Sequence, residues 1–288
     1  MGFVVPDESK KTKSLTGFAE GSISSCTLTL LIDSASFSVD KGKPIYEEGH
    51  MKREQYVCLV CGFNMIAFYP DRCPFCGAAK KHFITAEECS ARYRVVATPV
   101  NKKVTRLNSH PALGIEHAAY RIETGGGACW IDCPSSFDAS LKRADTIFFT
   151  HHHFLGASNL YRELFTAKVR IHHDDSAHEI CRPFIFDGTF KENFVHHGIE
   201  AFHVDGHTPG FTLYIFEDTL FICDYVFLDG EGMRYNPFGP AGLTITGGRR
   251  ILEILDGRKL STACGYNYVI GYDDWKHRFA AGPLFGGY

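Results

Sequence analysis

Two groups of residues in this 288-residue chain have the types and spacings that metal chemistry needs. The first is a cysteine cluster. Cys58-Leu59-Val60-Cys61-Gly62 and Cys73-Pro74-Phe75-Cys76-Gly77 are Cys-x-x-Cys-Gly turns with 11 residues between Cys61 and Cys73. Each turn puts two thiolates on one side, and its glycine relieves the backbone where an amide approaches sulfur. Two such turns face to face make a tetrahedral site of four thiolates, which suits zinc or iron. Disulfide pairing is the weaker reading, because the cysteine count of 11 is odd and the charged N-terminal stretch carries no secretory signal. The remaining cysteines are scattered and read as small buried hydrophobes.

The second group is drawn from 15 histidines and a few carboxylates. An apolar run from Thr146 to Phe149 ends in Thr150-His151-His152-His153. In extended chain His151 and His153 point the same way, so both imidazoles reach one metal at a strand end. His203-Val204-Asp205-Gly206-His207-Thr208-Pro209-Gly210 precedes another strand, and Leu220-Phe221-Ile222-Cys223-Asp224 is a strand ending in a carboxylate. Three or four N/O ligands hold zinc with an open position for water, which is hydrolytic chemistry. Two histidines and a carboxylate equally form the facial triad of a non-haem iron(II) oxygenase. Other histidines take blander roles. His172, His173 and His178 surround Asp174 and Asp175 where a strand becomes a helix, His196 and His197 are exposed, and His203 sits behind His207. Cys223 either packs or places a thiol near the metal. Arg249 and Arg250, after Gly247-Gly248, lie at a helix start, as a solvated end or an anion contact.

The elements that position these residues follow from periodicity. Strands are expected at Tyr120–Glu123, Cys129–Asp132, Thr146–Thr150, Val169–His172, Ile199–His203, Thr212–Phe216 and Leu220–Cys223, with a turn at Glu217-Asp218. Helices are expected over Ala157–Phe165, with Leu160 and Leu164 one turn apart, and over Arg249–Leu255. Residues 1–50 form an N-terminal extension with strand potential at Thr27–Ile32, residues 51–90 the four-cysteine module, and residues 91–288 a layered α/β domain. The module is too short for a core of its own and needs a metal to hold it. With 30 basic and 33 acidic residues no positive excess is available for phosphates, which argues against nucleic acid. Glu217, Asp218 and Asp224 interrupt the most apolar stretch, so no membrane span is expected. The expected location is the cytoplasm, or an organelle if a transit peptide has been removed.

Tyr56-Val57-Cys58-x-x-Cys61-Gly62, followed by Cys73-Pro74-x-Cys76-Gly77-Ala78-x-Lys80-x-x-Phe83, resembles a rubredoxin-type module, closest to the short form at the tail of rubrerythrins. The resemblance implies that Cys58, Cys61, Cys73 and Cys76 hold one iron and pass single electrons from an external donor. The shorter loop between the knuckles keeps a zinc ribbon open. Thr150-His151-x-His153, Gly206-His207-Thr208-Pro209-Gly210 and the strand ending at Asp224, with Asp132 at an earlier strand end, are similar to the metallo-β-lactamase superfamily over about residues 91–288. That likeness implies an αββα sandwich. In that family Leu155, Gly156 and the turn Cys264-Gly265-Tyr266-Asn267 would carry ligands of a second metal, and here they do not. His151, His153, His207 and Asp224 remain, so at most one iron or zinc is expected. His151, His207 and Asp224 are similar to the ligands of persulfide dioxygenases, mononuclear iron members of the superfamily. The fusion also resembles flavodiiron proteins in joining this fold to an electron-transfer module. The leading expectation is a redox enzyme acting on an unidentified small molecule, with His151, His207 and Asp224 catalytic and His153 a fourth ligand or a group behind them. A zinc-dependent hydrolase and a non-catalytic scaffold with a structural four-cysteine zinc are the alternatives.

Overall fold

The strand between Thr212 and Phe216 shows how the domain is layered. All five of its residues are buried, yet they divide by parity: Leu213 and Ile215 enter one core, and Tyr214 and Phe216 another. The next strand, Thr219–Cys223, repeats this with Leu220 and Ile222 on one side and Phe221 on the other. A strand apolar on both faces must be covered on both. The computed structural model, which describes residues 54–283, shows what covers it. The N-terminal extension at 1–50 and the strand expected at Thr27–Ile32 lie outside the described residues.

On one side a six-stranded sheet, in the order Phe194–His196, Ile199–His203, Thr212–Phe216, Thr219–Cys223, Thr262–Gly265 and Val269–Gly271, faces a seven-stranded sheet. The latter runs Gly188–Phe190, Lys168–His172, Thr146–Phe148, Gly127–Ile131, Ala119–Thr124, Val104–His110 and Arg94–Pro99. Ile122, Ile131 and Phe148 from the second sheet meet Ile199, Tyr214 and Phe221 from the first. Helices cover the outer faces. Ala241–Leu255 and Tyr272–Ala280 bury Ile251, Leu255, Trp275 and Phe279 against the six-stranded sheet. Ser158–Phe165 lies on the other, where Trp130 meets Tyr161 and Phe165 at ring-centroid distances of 4.8 and 5.6 Å. The result is an αββα sandwich. The strands ending at Ile131, Phe148 and His172 are parallel neighbours, so Asp132, His151 and Asp175 emerge at one end of the sheet.

Two helix expectations need correction. The buried face of Ser158–Phe165 is Tyr161 and Phe165; Leu164 is 45% exposed, because the aromatic surface of Trp130 selects the aromatic partners. The second helix begins at Ala241, so Arg249 and Arg250 lie in its interior and not at an N-terminus. Gly247 and Gly248 do not break it. They are buried, and a Cβ at either would sit 2.2 Å from a tyrosine hydroxyl, of Tyr225 and Tyr235 respectively. The glycines let the helix approach the sheet closely.

The cysteine module is a three-stranded antiparallel sheet, Asn64–Ile66, Gln55–Cys58 and Phe83–Thr85, followed by helix Ala86–Arg92. Thr85 and Glu88 form a capping box at the start of that helix, with bonds of 3.1 and 3.2 Å. The 90/91 boundary drawn from sequence falls inside this helix. The small core of Val57, Ile84 and Cys89 is completed by Leu113, which follows strand Val104–His110. Asn64 donates to the Ser135 carbonyl at 3.1 Å, and Gly114, at φ +57°, lies so close to Val60 that a Cβ would come 2.4 Å from its carbonyl oxygen. No helix among the described residues is long and apolar enough to cross a membrane.

Gly247→Val should lower stability by about 1–3 kcal/mol, the usual cost of overpacking. The check is the urea midpoint, which should fall relative to an exposed control such as Gly242→Ala in the same helix.

Candidate metal centres

In the first knuckle the Cys58 amide donates to the Phe63 carbonyl at 3.0 Å and the Gly62 amide to the Cys58 carbonyl at 2.7 Å. The second repeats the pattern, Cys73 to Ala78 at 2.8 Å and Gly77 to Cys73 at 2.9 Å. Gly62 and Gly77 take φ of +82° and +72°, a region that glycine enters without strain. The turns bring all four sulfurs within 4.8 Å of one another, with Cys58–Cys76 and Cys61–Cys73 each at 3.7 Å. Sulfurs at about 2.3 Å from a tetrahedral ion lie about 3.8 Å apart, whereas a disulfide needs about 2.05 Å. The cluster fits a rubredoxin-like knuckle with room for one ion.

His151, His153, His207 and Asp224 also converge, with one donor atom of each within 4.8 Å of the others. His207 Nε2 lies 3.1 Å from His153 Nδ1 and 3.7 Å from an Asp224 oxygen; His151 Nε2 lies 3.4 Å from the other Asp224 oxygen. His151 Nε2 and Asp224 Oδ1 are buried with no hydrogen-bond partner. Orphaned polar atoms in a dry site are costly, and a cation is the partner that satisfies a nitrogen lone pair and a carboxylate together. The residues therefore fit a metal. Burial raises the Asp224 carboxyl to about 8. Burial lowers His207 to about 3, and burial together with neighbouring imidazoles holds His151 and His153 well below the usual range. At neutral pH the imidazoles are uncharged and free to ligate.

Second-row contacts hold this arrangement. Asp132, at φ +61°, accepts from the Thr150 amide at 2.8 Å and its hydroxyl at 3.0 Å, and Thr150 Oγ1 lies 2.9 Å from His151 Nδ1. That fixes the His151 ring and leaves Nε2 facing the site. Burial raises Asp132 to about 7. Asn236 donates to Asp224 at 2.8 Å. Sequence reasoning gave Asp175 only a helix-start role, but it ties the two histidine loops together. It accepts from the His152 amide at 2.9 Å, the Thr208 hydroxyl at 3.0 Å and the Gly210 amide at 2.8 Å. Burial pushes its carboxyl up, but the facing His152 ring, the Gly210 amide and the Thr208 hydroxyl outweigh that and hold it low.

His203 takes a structural role: its Nε2 meets the Pro209 carbonyl at 2.8 Å and its ring stacks on His172 at 3.9 Å. A cluster of His172, Asp174 and His203 is metal-like in composition, but His172 meets the Lys191 carbonyl and the Asp174 amide, so these rings hold loops. At the positions departing from the family pattern, Leu155 is fully buried, and a Cβ on Gly156 would lie 2.3 Å from the Cys133 carbonyl oxygen. No histidine fits there. Tyr266 turns its ring toward His117, 4.7 Å away. His117 is the residue that sequence reasoning missed. It lies in a loop with no motif around it, yet its Nε2 is 3.3 Å from Asp224. Its loop is pinned by buried Glu116, which accepts from Ser109 at 2.9 Å and from the Ser135 amide at 2.5 Å.

Comparison with solved structures identifies the architecture. A metallo-β-lactamase from Pontibacter korlensis matches with TM-score 0.54 and 15% identity, over 65% of this chain and 98% of that one. The metallo-β-lactamase FIM-1 from Pseudomonas aeruginosa in its mono-zinc form matches with TM-score 0.53 and 12% identity, over 65% of this chain and 93% of that one. DIM-1 metallo-β-lactamase matches at TM-score 0.53 and 14% identity, over 65% and 96%. No family model matches the sequence, and no curated protein matches it. The chain has the metallo-β-lactamase fold. Its two candidate metal centres stand within that fold and the rubredoxin-like module joined to it.

Asp175→Asn should weaken metal retention at the histidine set by about 10–100-fold, the usual effect of losing a group behind the ligands, and spare the four-cysteine site. Because Asp175 is held below its unfolded pKa of about 3.9, its contribution to stability is complete above that pH and is lost as pH falls through the lower folded value. The wild-type advantage in Tm over Asp175→Asn should therefore shrink in acid.

Proposed function

We propose that this protein is a redox metalloenzyme for a small-molecule substrate, in which His151, His153, His207 and Asp224 would hold one iron and Cys58, Cys61, Cys73 and Cys76 a second. The observation that carries this reading is Phe75. It lies inside the second knuckle, between Cys73 and Cys76, and its ring is 5.5 Å from that of His153 and 5.0 Å from that of Phe154. Phe154 lies 3.6 Å from His117. Side chains in van der Waals contact thus run from the four-sulfur cluster to the histidine set. The first knuckle meets the same region through Gly114, three residues before His117.

The bound ions would supply one-electron redox chemistry, which no side chain in the site provides. The chain's own residues do the rest. His151, His207 and Asp224 form the two-histidine, one-carboxylate set suited to iron(II) with open positions. Asp132, through Thr150, fixes the His151 ring and Asp175 holds the two histidine loops together, while Phe154 and Leu155 are buried beside them. His153 is less buried than the other three. Leu155 offers no carboxylate to orient an attacking water, which favours electron transfer over hydrolysis. FIM-1 is a mono-zinc form, and one ion at the histidine set is the occupancy we infer here. A one-electron donor outside the chain completes the scheme.

Metal analysis of protein purified without added metal tests this directly, with a visible spectrum before and after dithionite. The expected result is close to two irons per chain and a red thiolate–iron absorption that bleaches on reduction. Zinc alone in a colourless protein, persisting after growth in iron-supplemented medium, would overturn it.

A further inference from the structure

We infer a second cation site beside the first, formed by His117, Cys223 and Asp224. It deepens the reading above by sharing Asp224 with the histidine set. One ring nitrogen of His117, the Cys223 sulfur and an Asp224 oxygen lie within 4.8 Å of one another, and all three residues are buried. The Cys223 sulfur is 3.2 Å from His117 Nδ1, and His117 Nε2 is 3.3 Å from Asp224 Oδ2. Ligand atoms at about 2.0–2.3 Å from a zinc-sized ion in near-tetrahedral array lie about 3.3–3.8 Å apart. The two short distances involve opposite ring nitrogens of His117, so a common ion takes one of them, together with the sulfur and the oxygen that lie within 4.8 Å of it.

The backbone at Cys223 adds a second, independent observation. Its φ is +45°, a left-handed conformation that costs a non-glycine residue of order 1–3 kcal/mol. Glycine would turn the chain there without that cost, whereas cysteine places a thiol between two elements distant in sequence. His117 reaches the same point from the loop after strand Val104–His110, held by Glu116 behind it and by Phe154 and Tyr266 on its faces. Both side chains are oriented from outside the histidine motifs. Thiolate, imidazole and carboxylate together select zinc or another borderline divalent cation over magnesium or calcium. Three protein ligands leave a position open.

The test is a cobalt(II) titration of the full-length, metal-stripped protein, with bound cobalt counted by mass spectrometry after gel filtration. The expected count is three per chain: one at the four cysteines, one at the histidine set and one here. Cys223→Ser and His117→Gln should each bind two, and Cys223→Ser should also lose part of the thiolate-to-cobalt absorption. A wild-type plateau at two ions overturns the proposal whatever the variants do, and so do variants that still bind three. Three cobalt ions in a protein that never acquires iron would uphold this site and remove the redox reading. Two ions, with iron in both original sites, would do the reverse.

Discussion

The carboxylate of Asp224 is buried at the mouth of the sheet sandwich with one oxygen unpartnered, and the surrounding structure is arranged around that group. An uncompensated buried carboxylate costs several kcal/mol even after relaxation. Asn236 supplies a single hydrogen bond, and the histidines nearby are uncharged because burial disfavours their protonation. The carboxylate therefore takes up either a proton or a cation. Neutral imidazoles on three sides, each with a nitrogen directed inward or close by, make the cation the better partner. The parallel strand ends, the Asp132–Thr150–His151 relay and the Asp175 clamp are what hold those nitrogens in place.

The same constraint explains how the small module is attached. A segment of this size has little core of its own, and its apolar cluster is completed by Leu113 from the larger domain. The loop that supplies Leu113 continues through Gly114 and Glu116 to His117. One short segment therefore packs the module, touches its first knuckle and delivers an imidazole to Asp224. An ion at the four cysteines would contribute its binding energy to folding of the knuckles, and Val60 and Phe75 place those knuckles against the segments bearing His117 and His153.

Much of this was legible in the residues. The Cys-x-x-Cys-Gly turns, the strand ends at His151 and Asp224, and the alternating strands from Ile199 to Cys223 follow from local spacing, which a single sequence displays. The four-layer architecture followed from the resemblance those motifs carry to the metallo-β-lactamase superfamily. Long-range choices were not legible. Tyr161 and Phe165 were preferred to Leu164 because Trp130 faces them from another strand. The helix continued through Gly247-Gly248 because tyrosines on the sheet leave no space for side chains there. His117 and the Asp175 carboxylate act through partners far along the chain, the nearest hydrogen-bond partner of that carboxylate lying 23 residues away. No local pattern encodes contacts of that kind.

A structural zinc in the knuckles would account for the docking as well as iron would, since either ion holds four thiolates. The side chains toward the histidine set are what the redox proposal rests on. For stability alone the second knuckle could present any apolar residue to the domain, and Gly62, Asn64 and Gly114 already fix its neighbour in place. Instead Phe75 sits between two cysteines and meets His153, with Phe154 and His117 continuing the contact inward. The attachment therefore ties the second knuckle to the segments that carry His153 and His117.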